Sequence, residues 1–159
     1  MIKVLFICHG NICRSPMAEF MFKDMVKKLG LEDKFYIASA ATSSEEIWNG
    51  VGSPVYPPAR KELAKHGIRC DGKRAVQVTK QDYDKYDYII CMDSANIRNT
   101  QRITGPDKDH KISLLLDYAG RAGQSIADPW YTGNFEITYQ DIDEGLHGFL
   151  DHLRQSRLI

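Results

Sequence analysis

Residues Leu5–Glu19 read LFICHGNICRSPMAE, an apolar run that passes through a loop of small and polar residues straight into a helical pattern. The predicted strand ends at Cys8, and Arg14 follows after five intervening residues. A strand that ends at a helix N-terminus directs several backbone N–H groups at one point, where the helix dipole adds partial positive charge. Gly10 and Asn11 tolerate left-handed backbone angles, which lets the loop fold around an anion. The stretch therefore predicts a cradle for a phosphate-like dianion.

The side chains in this loop have complementary chemistry. Backbone amides and a helix N-terminus around Cys8 form an environment that favours thiolate, the nucleophilic form of cysteine. Arg14 can direct two N–H donors at two phosphoryl oxygens in a planar geometry that lysine lacks. Ser15 is a good N-cap and Pro16 suits the first helical position, so the helix is predicted to begin there. Together these residues predict a cysteine nucleophile that attacks phosphate monoesters.

The composition narrows the classes of protein that fit this chain. Its 159 residues predict a single domain, residues 1–159, with a substantial core. Lys plus Arg number 21 and Asp plus Glu number 21, so the net charge of +0 favours neither nucleic acid nor a membrane surface. No apolar run approaches the roughly 20 residues of a membrane span or resembles a signal peptide. The 4 cysteines lack zinc-site spacing, and a cytoplasmic protein with reduced thiols is expected.

Strand and helix patterns alternate along the chain. The predicted strands are residues 2–8, 35–41, 86–92 and 111–116. The predicted helices are residues 16–29, 58–66, 95–103 and 135–157. This alternation is typical of a parallel sheet with crossover helices. Residues 42–58 are rich in glycine and proline and lack periodicity, so they are predicted to form a loop.

A second notable motif is the tetrad Asp128-Pro129-Trp130-Tyr131. Phosphoryl transfer from an aryl ester leaves a phenolate, and a phenol has an ordinary pKa of about 10, so a proton donor assists its departure. A carboxylic acid at position 128, on a segment stiffened by proline, suits that role. Trp130 and Tyr131 offer flat surfaces against which an aryl group can stack.

The loop from Cys8 to Ser15, with Gly10-Asn11 inside it, Cys13 before Arg14 and Pro16 after it, resembles the phosphate-binding loop of the low-molecular-weight protein tyrosine phosphatases. The tetrad at residues 128–131 also matches this family, and the resemblance covers essentially the whole chain. It implies the phosphotyrosine phosphatase I-like fold, a doubly wound α/β domain of four parallel strands flanked by helices on both faces. In such sheets the site lies at the carboxyl ends of the strands.

The resemblance also implies the activity. It implies a metal-free protein tyrosine phosphatase that uses no cofactor and forms a cysteinyl-phosphate intermediate. Cys8 is implied as the nucleophile, Arg14 as a ligand of the phosphoryl group and Asp128 as the general acid. The other residues implied to bind phosphate or sulfate are His9, Gly10, Asn11, Ile12, Cys13 and Ser15. The implied substrates are phosphotyrosine proteins or small aryl phosphates, and the sequence does not choose between them.

Two residues match positions that support the loop asparagine in the family. Ser39, at the end of the second strand, is expected to hold Asn11, unless it bonds only to its own backbone. His66 is expected to brace the same asparagine, the alternative being a surface histidine at a helix C-terminus. Cys13 is expected to trap oxidised Cys8 as a reversible disulfide, the alternative being a small packing residue.

The substrate cleft is expected to be lined by four apolar or aromatic residues, Ile12, Trp48, Trp130 and Tyr131. Trp48 is the open case, because the family segment is shorter here and Gly50–Pro54 is predicted to be an insertion. Trp48 therefore either forms a wall of the cleft or covers the insertion.

Three rival functions share parts of this pattern. Arsenate reductases relay oxidation through two further cysteines close together, whereas Cys70 and Cys91 are far apart in the chain and Cys91 lies in an apolar run. Protein-arginine phosphatases carry threonine where this chain has Ile12, and isoleucine favours contact with a ring. A phosphate-binding module without turnover would have no need of both a nucleophile and an acid.

Overall fold

The computed structural model describes all residues from Met1 to Ile159. Its strands are β1 Ile2–Cys8, β2 Phe35–Ala41, β3 Ile47–Trp48, β4 Val51–Gly52, β5 Tyr88–Cys91 and β6 Ile112–Leu114. Its α-helices are α1 Arg14–Lys28, α2 Pro57–Lys65, α3 Asp82–Lys85, α4 Ser94–Thr104, α5 Pro129–Thr132 and α6 Phe135–Gln155. Two short 3-10 turns cover Glu32–Lys34 and Leu115–Ala119. None of the helices combines the length and the apolar character that a membrane span requires.

Four of the strands form one parallel sheet in the order β2-β1-β5-β6. The chain first builds outward from β1 to β2, then returns past β1 to build outward through β5 and β6. The strand order thus reverses between β1 and β5, and the carboxyl ends of these two strands flank a crevice where ligands of such sheets bind. The four-stranded, doubly wound sheet predicted from the sequence is confirmed.

Strand β1 is buried on both faces, which explains its continuous apolar sequence. Val4, Phe6 and Cys8 belong to the larger of two main core clusters, together with residues of α1 and α6. Leu5 and Ile7 belong to the other cluster, on the opposite face of the sheet. Because both faces are covered, the end of β1 is fixed, and so is the loop that follows it.

Residues 42–58 differ from the predicted loop, because they contain the β3-β4 hairpin. Its turn is Asn49-Gly50, and both residues have positive φ, 50° and 76°. Asn-Gly is the preferred pair for a two-residue hairpin turn of this kind. Each strand has only 2 residues, too few to show a period of two in the sequence. The segment predicted as an insertion is therefore half of an ordered hairpin.

Candidate active site

The loop between β1 and α1, with the residues at each end of it, forms what we term the phosphate cradle, residues 8–15. Cys8 ends β1 and is 3% exposed, and Asn11 has the left-handed φ of 58°. The backbone N–H groups of residues 9–15 donate to no acceptor within the protein. Helix α1 begins at Arg14 without a side-chain cap. A ring of unused donors at a helix N-terminus, above a thiol, is suited to binding a tetrahedral anion.

The helix start corrects the role expected for Ser15. Helix α1 begins two residues before the predicted start at Pro16, with Cys13 at the N-cap position. The Ser15 hydroxyl does not cap the helix but lies 3.0 Å from Cys8 Sγ. The first N–H groups of the helix are therefore free to bind a ligand, and the Ser15 hydroxyl is free to bond to Cys8 Sγ.

The hydrogen bonds of Asn11 fix the orientation of its side-chain amide. Its Oδ1 accepts from the backbone N–H of Val76 at 3.1 Å, so Nδ2 is on the opposite side. There Nδ2 donates to Ser39 Oγ at 2.9 Å and to Ser15 Oγ at 2.8 Å. The contact expected between Ser39 and Asn11 is confirmed. Since Ser15 Oγ accepts from Asn11, its own hydrogen is free to be donated to Cys8 Sγ.

Glu19 completes this network from beneath the cradle. Ser39 accepts from Asn11 and therefore donates its own hydrogen, which goes to Glu19 Oε1 at 2.6 Å. Glu19 is 4% exposed, and its other oxygen accepts from Lys23 Nζ at 2.6 Å. Lys73 Nζ lies 3.5 Å from Glu19 and donates to the Ser39 carbonyl at 2.9 Å. Burial lowers the pKa of Lys73, and the charge of Glu19 opposes that effect.

His66, expected to brace Asn11, makes no hydrogen bond to it, and that prediction is wrong. The imidazole Nε2 lies 3.4 Å from Glu62 Oε2, and the ring stacks on Tyr139 at a centroid distance of 3.7 Å. The residue lies at the C-terminal end of α2 and is attached to α6 rather than to the cradle. The side chains and backbone around Asn11 that do the expected work are Ser15, Ser39 and Val76.

Arg14 is held from behind by two acceptors. Its Nη1 donates to Asp93 Oδ2 and to the Ile126 carbonyl, both at 2.8 Å. Both hydrogens of Nη1 are thus used, and the edge formed by Nε and Nη2 is left for two oxygens of a phosphoryl group. Burial alone would lower the pKa of Arg14, but the charge of Cys8, the hydrogen bond to Asp93 and the charge of Asp128 raise it.

Asp128 lies beside the free edge of Arg14. Its Oδ2 is 3.5 Å from Arg14 Nη2, and its Oδ1 accepts from the Trp130 N–H at 3.1 Å as the cap of α5. Trp130 packs against Tyr56 with a centroid distance of 4.8 Å, and Tyr131 is 84% exposed. The acid expected from the tetrad is therefore brought to the cradle, with its two aromatic neighbours at the rim.

One pocket is enclosed by the cradle, by Asp128 with its aromatic neighbours, and by the segment before the hairpin. Its lining residues are Cys8, His9, Gly10, Ile12, Cys13, Arg14, Glu45, Glu46, Asp128, Trp130 and Tyr131. Trp48 is not among them, so the structure does not place it in the wall of this pocket. Neighbouring strand residues point to opposite faces. Ile47 packs against the cluster containing Ile12, so Trp48 points to solvent and is 76% exposed.

The remaining cysteines differ in environment. Cys13 lines the pocket, and burial, with the charges of Cys8 and Asp128, raises the pKa of its thiol. Cys91 is fully buried in β5, and burial raises its pKa to about 12. Neither Cys70 nor Cys91 lines the pocket, so the structure offers no relay of cysteines from Cys8.

A sequence model of the low molecular weight phosphotyrosine protein phosphatase family matches residues 3–158. The chain therefore belongs to the low molecular weight phosphotyrosine protein phosphatases, and it is an enzyme of that family. The Bacillus subtilis low molecular weight protein-tyrosine-phosphatase YfkJ is 41% identical over 158 residues, which cover 99% of each chain. The crystal structure of YfkJ matches with a TM-score of 0.90 over 98% of this chain and 96% of that chain.

Two further solved structures are also similar to this chain in sequence and fold. SP-PTP, a low molecular weight protein tyrosine phosphatase from Streptococcus pyogenes, is 40% identical, with a TM-score of 0.83 over 96% of this chain and 93% of its own. The Drosophila arginine phosphatase DARP is 32% identical, with a TM-score of 0.81 over 95% of this chain and 97% of its own. The same fold thus carries both activities.

Proposed function

We propose that the chain hydrolyses phosphotyrosine, in proteins or as small aryl phosphates, through a cysteinyl-phosphate and without a metal ion. The observation that carries the proposal is the arrangement around Cys8. Its sulfur lies 3.0 Å from the Ser15 hydroxyl, beneath a ring of unused backbone donors and beside the free edge of Arg14. Asp128 lies on the open side of that arrangement, 3.5 Å from Arg14.

In the first step the Cys8 thiolate attacks phosphorus. An S–P bond forms as the bond from phosphorus to the phenolic oxygen breaks, and Asp128, as the carboxylic acid, gives its proton to that oxygen. The equatorial oxygens are bound by the backbone N–H groups of the loop and by Nε and Nη2 of Arg14. These donors are fixed before the substrate arrives, so little reorganisation is needed as charge redistributes in the transition state.

In the second step water hydrolyses the thiophosphate. Asp128, now a carboxylate, takes a proton from the water as its oxygen attacks phosphorus. The S–P bond breaks and inorganic phosphate forms. The electron pair returns to Cys8 Sγ, where the Ser15 hydroxyl is oriented to donate by its bond from Asn11. Arg14 and the loop amides supply the positive charge that Mg²⁺ supplies in many other phosphoryl-transfer enzymes.

The test is phosphate release from a phosphotyrosine peptide, with EDTA and a thiol present. We expect turnover by the wild type, none by Cys8→Ser and a deep loss in Asp128→Asn. Full retention of turnover in Cys8→Ser would exclude the covalent mechanism, and a requirement for added metal would exclude the metal-free one. A folded, reduced wild type without turnover would contradict phosphotyrosine as the substrate.

Phosphoarginine is the second candidate, because DARP, which has this fold, is named an arginine phosphatase. Ile12 favours phosphotyrosine, since it lines the pocket together with Trp130 and Tyr131 and offers an apolar contact to a ring. A phosphoarginine peptide in the same assay separates the two activities. Faster release from phosphoarginine would reverse the assignment.

Cys13 supports a further proposal, that oxidation of Cys8 is reversible. Both cysteines line the same pocket, so a sulfenic acid at Cys8 can be captured by Cys13 as a disulfide with loss of water. A thiol reductant then restores both groups. After peroxide treatment, wild type should recover activity with thiol and Cys13→Ser should not. Equal recovery by the two proteins would contradict this role.

A further inference from the structure

The mouth of the pocket carries an uneven distribution of charge. Glu45 and Glu46 line one side, and Asp128 lies on the other. Arg14 is the only lysine or arginine among the lining residues, and it is 3% exposed and already paired with Asp93. Beyond the phosphoryl group itself, a substrate therefore meets the carboxylates of Glu45 and Glu46, and the one other basic side chain of the lining, His9, lies against Glu45.

The two glutamates are held in place at this mouth. Glu45 Oε2 lies 3.0 Å from His9 Nε2, and its side chain is 71% exposed. Glu46 Oε2 accepts from Ser53 Oγ at 3.1 Å, and the backbone N–H of Ser53 donates to the Glu46 carbonyl at 2.8 Å. The Ser43 N–H donates to the His9 carbonyl at 3.1 Å, which joins the segment to the cradle. The carboxylates are thus part of the pocket wall.

We propose that Glu45, assisted by Glu46, selects phosphotyrosine sites that carry lysine or arginine next to the phosphotyrosine and rejects sites flanked by aspartate or glutamate. This inference rests on the proposed phosphotyrosine activity and names the substrate class of the same site. A lysine or arginine next to the phosphotyrosine can pair with the Glu45 carboxylate. An acidic neighbour finds no cation to pair with and is repelled by a carboxylate, so the wall discriminates by attraction and by repulsion.

The approach of the substrate adds to this preference. A phosphate dianion entering the pocket meets the carboxylates of Glu45 and Glu46 in its wall, whereas Asp128 is the protonated acid in the first step of the proposed mechanism. The net charge of the chain is +0, so no overall field offsets this local repulsion. A lysine or arginine beside the phosphotyrosine reduces the charge that the substrate presents to the mouth.

The experiment compares kcat/KM for two phosphotyrosine peptides of one sequence, flanked on both sides by lysine or by glutamate. We expect wild type to prefer the lysine peptide by about tenfold at low salt, a sum of several exposed charge pairs. The preference should shrink in 1 M salt, where charges are screened beyond about 3 Å. It should fall to about threefold in Glu45→Gln, which loses one of those charges, and to about equal rates on the two peptides in Glu45→Lys.

The matched control is Glu32→Gln, which makes the same change of charge at an exposed position outside the pocket and should keep the wild-type preference. Wild type is also assayed on 4-nitrophenyl phosphate, which has no flanking residue. Turnover of that ester with equal rates on the two peptides would overturn the inference and leave the proposed function intact. An unchanged preference in Glu45→Gln would overturn the role of Glu45. No turnover of any substrate would contradict the proposed function itself.

Discussion

The phosphate cradle and the wall opposite it, residues 43–53, are built in contrasting ways. In the cradle Cys8, Asn11, Arg14 and Ser15 are at most 3% exposed, and each polar side chain has a defined partner. The opposite wall is a short hairpin segment in which Ile47 packs inward, while Trp48 and Val51 are 76% and 61% exposed. The side chains that react are thus held by buried partners. The rest of the substrate meets a more exposed surface.

Apart from loss of the nucleophile itself, the largest effect is expected in the cradle, for Arg14→Lys. Lysine can still pair with Asp93, but it cannot at the same time present two parallel donors where Nε and Nη2 of Arg14 lie. We expect kcat to fall by about a thousandfold, as when a preorganised transition-state donor is removed. Steady-state kinetics on a phosphotyrosine peptide measures this loss. A loss of less than about tenfold would mean that the loop amides alone bind the phosphoryl group.

The next effect lies in the opposite wall, at Gly52. A Cβ added there would lie 1.9 Å from the Ala75 carbonyl oxygen, which is backbone and cannot rotate away. Gly52→Ala should therefore loosen the docking of the hairpin on Ala75 and lower the free energy of unfolding by about 2 kcal/mol. Because Ala75 packs against Ile12 and Cys13, and Val76 beside it donates to Asn11 Oδ1, kcat should fall as KM rises.

The matched control for Gly52→Ala is Gly50→Ala. Gly50 has φ of 76°, but a Cβ added there would meet no atom within 4 Å, so only the backbone preference is lost. That preference is worth about 1 kcal/mol. Urea unfolding of both variants compares them. Equal losses in the two proteins would show that the contact with Ala75 adds nothing to the turn.

A smaller effect is expected from the support of the cradle, in Ser39→Ala. This change removes the acceptor of one Asn11 hydrogen and the donor to buried Glu19. We expect kcat to fall about tenfold, or about 1.4 kcal/mol, with KM nearly unchanged, because Ser15 loses its fixed orientation towards Cys8. Ser39→Thr keeps the hydroxyl and should restore most of the rate. A Thr variant as slow as the Ala variant would indicate a packing role instead.

The same contrast explains what the sequence could reveal. Short local patterns predicted the chemistry of Cys8, Arg14 and the tetrad at 128–131. The unbroken apolar run of β1 likewise indicated that the strand is buried. The partners of these residues are distant in the chain. Asp93 contacts Arg14 across 79 positions, and it is also the N-cap of α4, a role that by itself accounts for an aspartate at that position. One carboxylate oxygen serves each role.

Other supports were missed for the same reason. Nothing beside Glu19 in the sequence marks it as buried, since a glutamate in a first helix usually faces solvent. Lys73 lies in a polar stretch that showed no regular pattern, although it reaches Glu19 and the Ser39 carbonyl. The hairpin did carry a signal, Asn49-Gly50, which predicts a tight turn even between very short strands. Reading that turn would have placed Glu45 and Glu46 before a hairpin instead of in a loose loop.

The smallest effect is expected for Trp48→Ala. Since the Trp48 ring points away from the pocket, its removal should change kcat/KM for a phosphotyrosine peptide by less than about twofold. Trp130→Ala is the comparison, because Trp130 lines the pocket, and the loss of an aromatic contact there should cost about fivefold to tenfold. Equal losses in the two variants would mean that the hairpin folds over the bound substrate. Trp48 would then contact the substrate in the complex, and substitutions in the hairpin would be harmless only in the free enzyme.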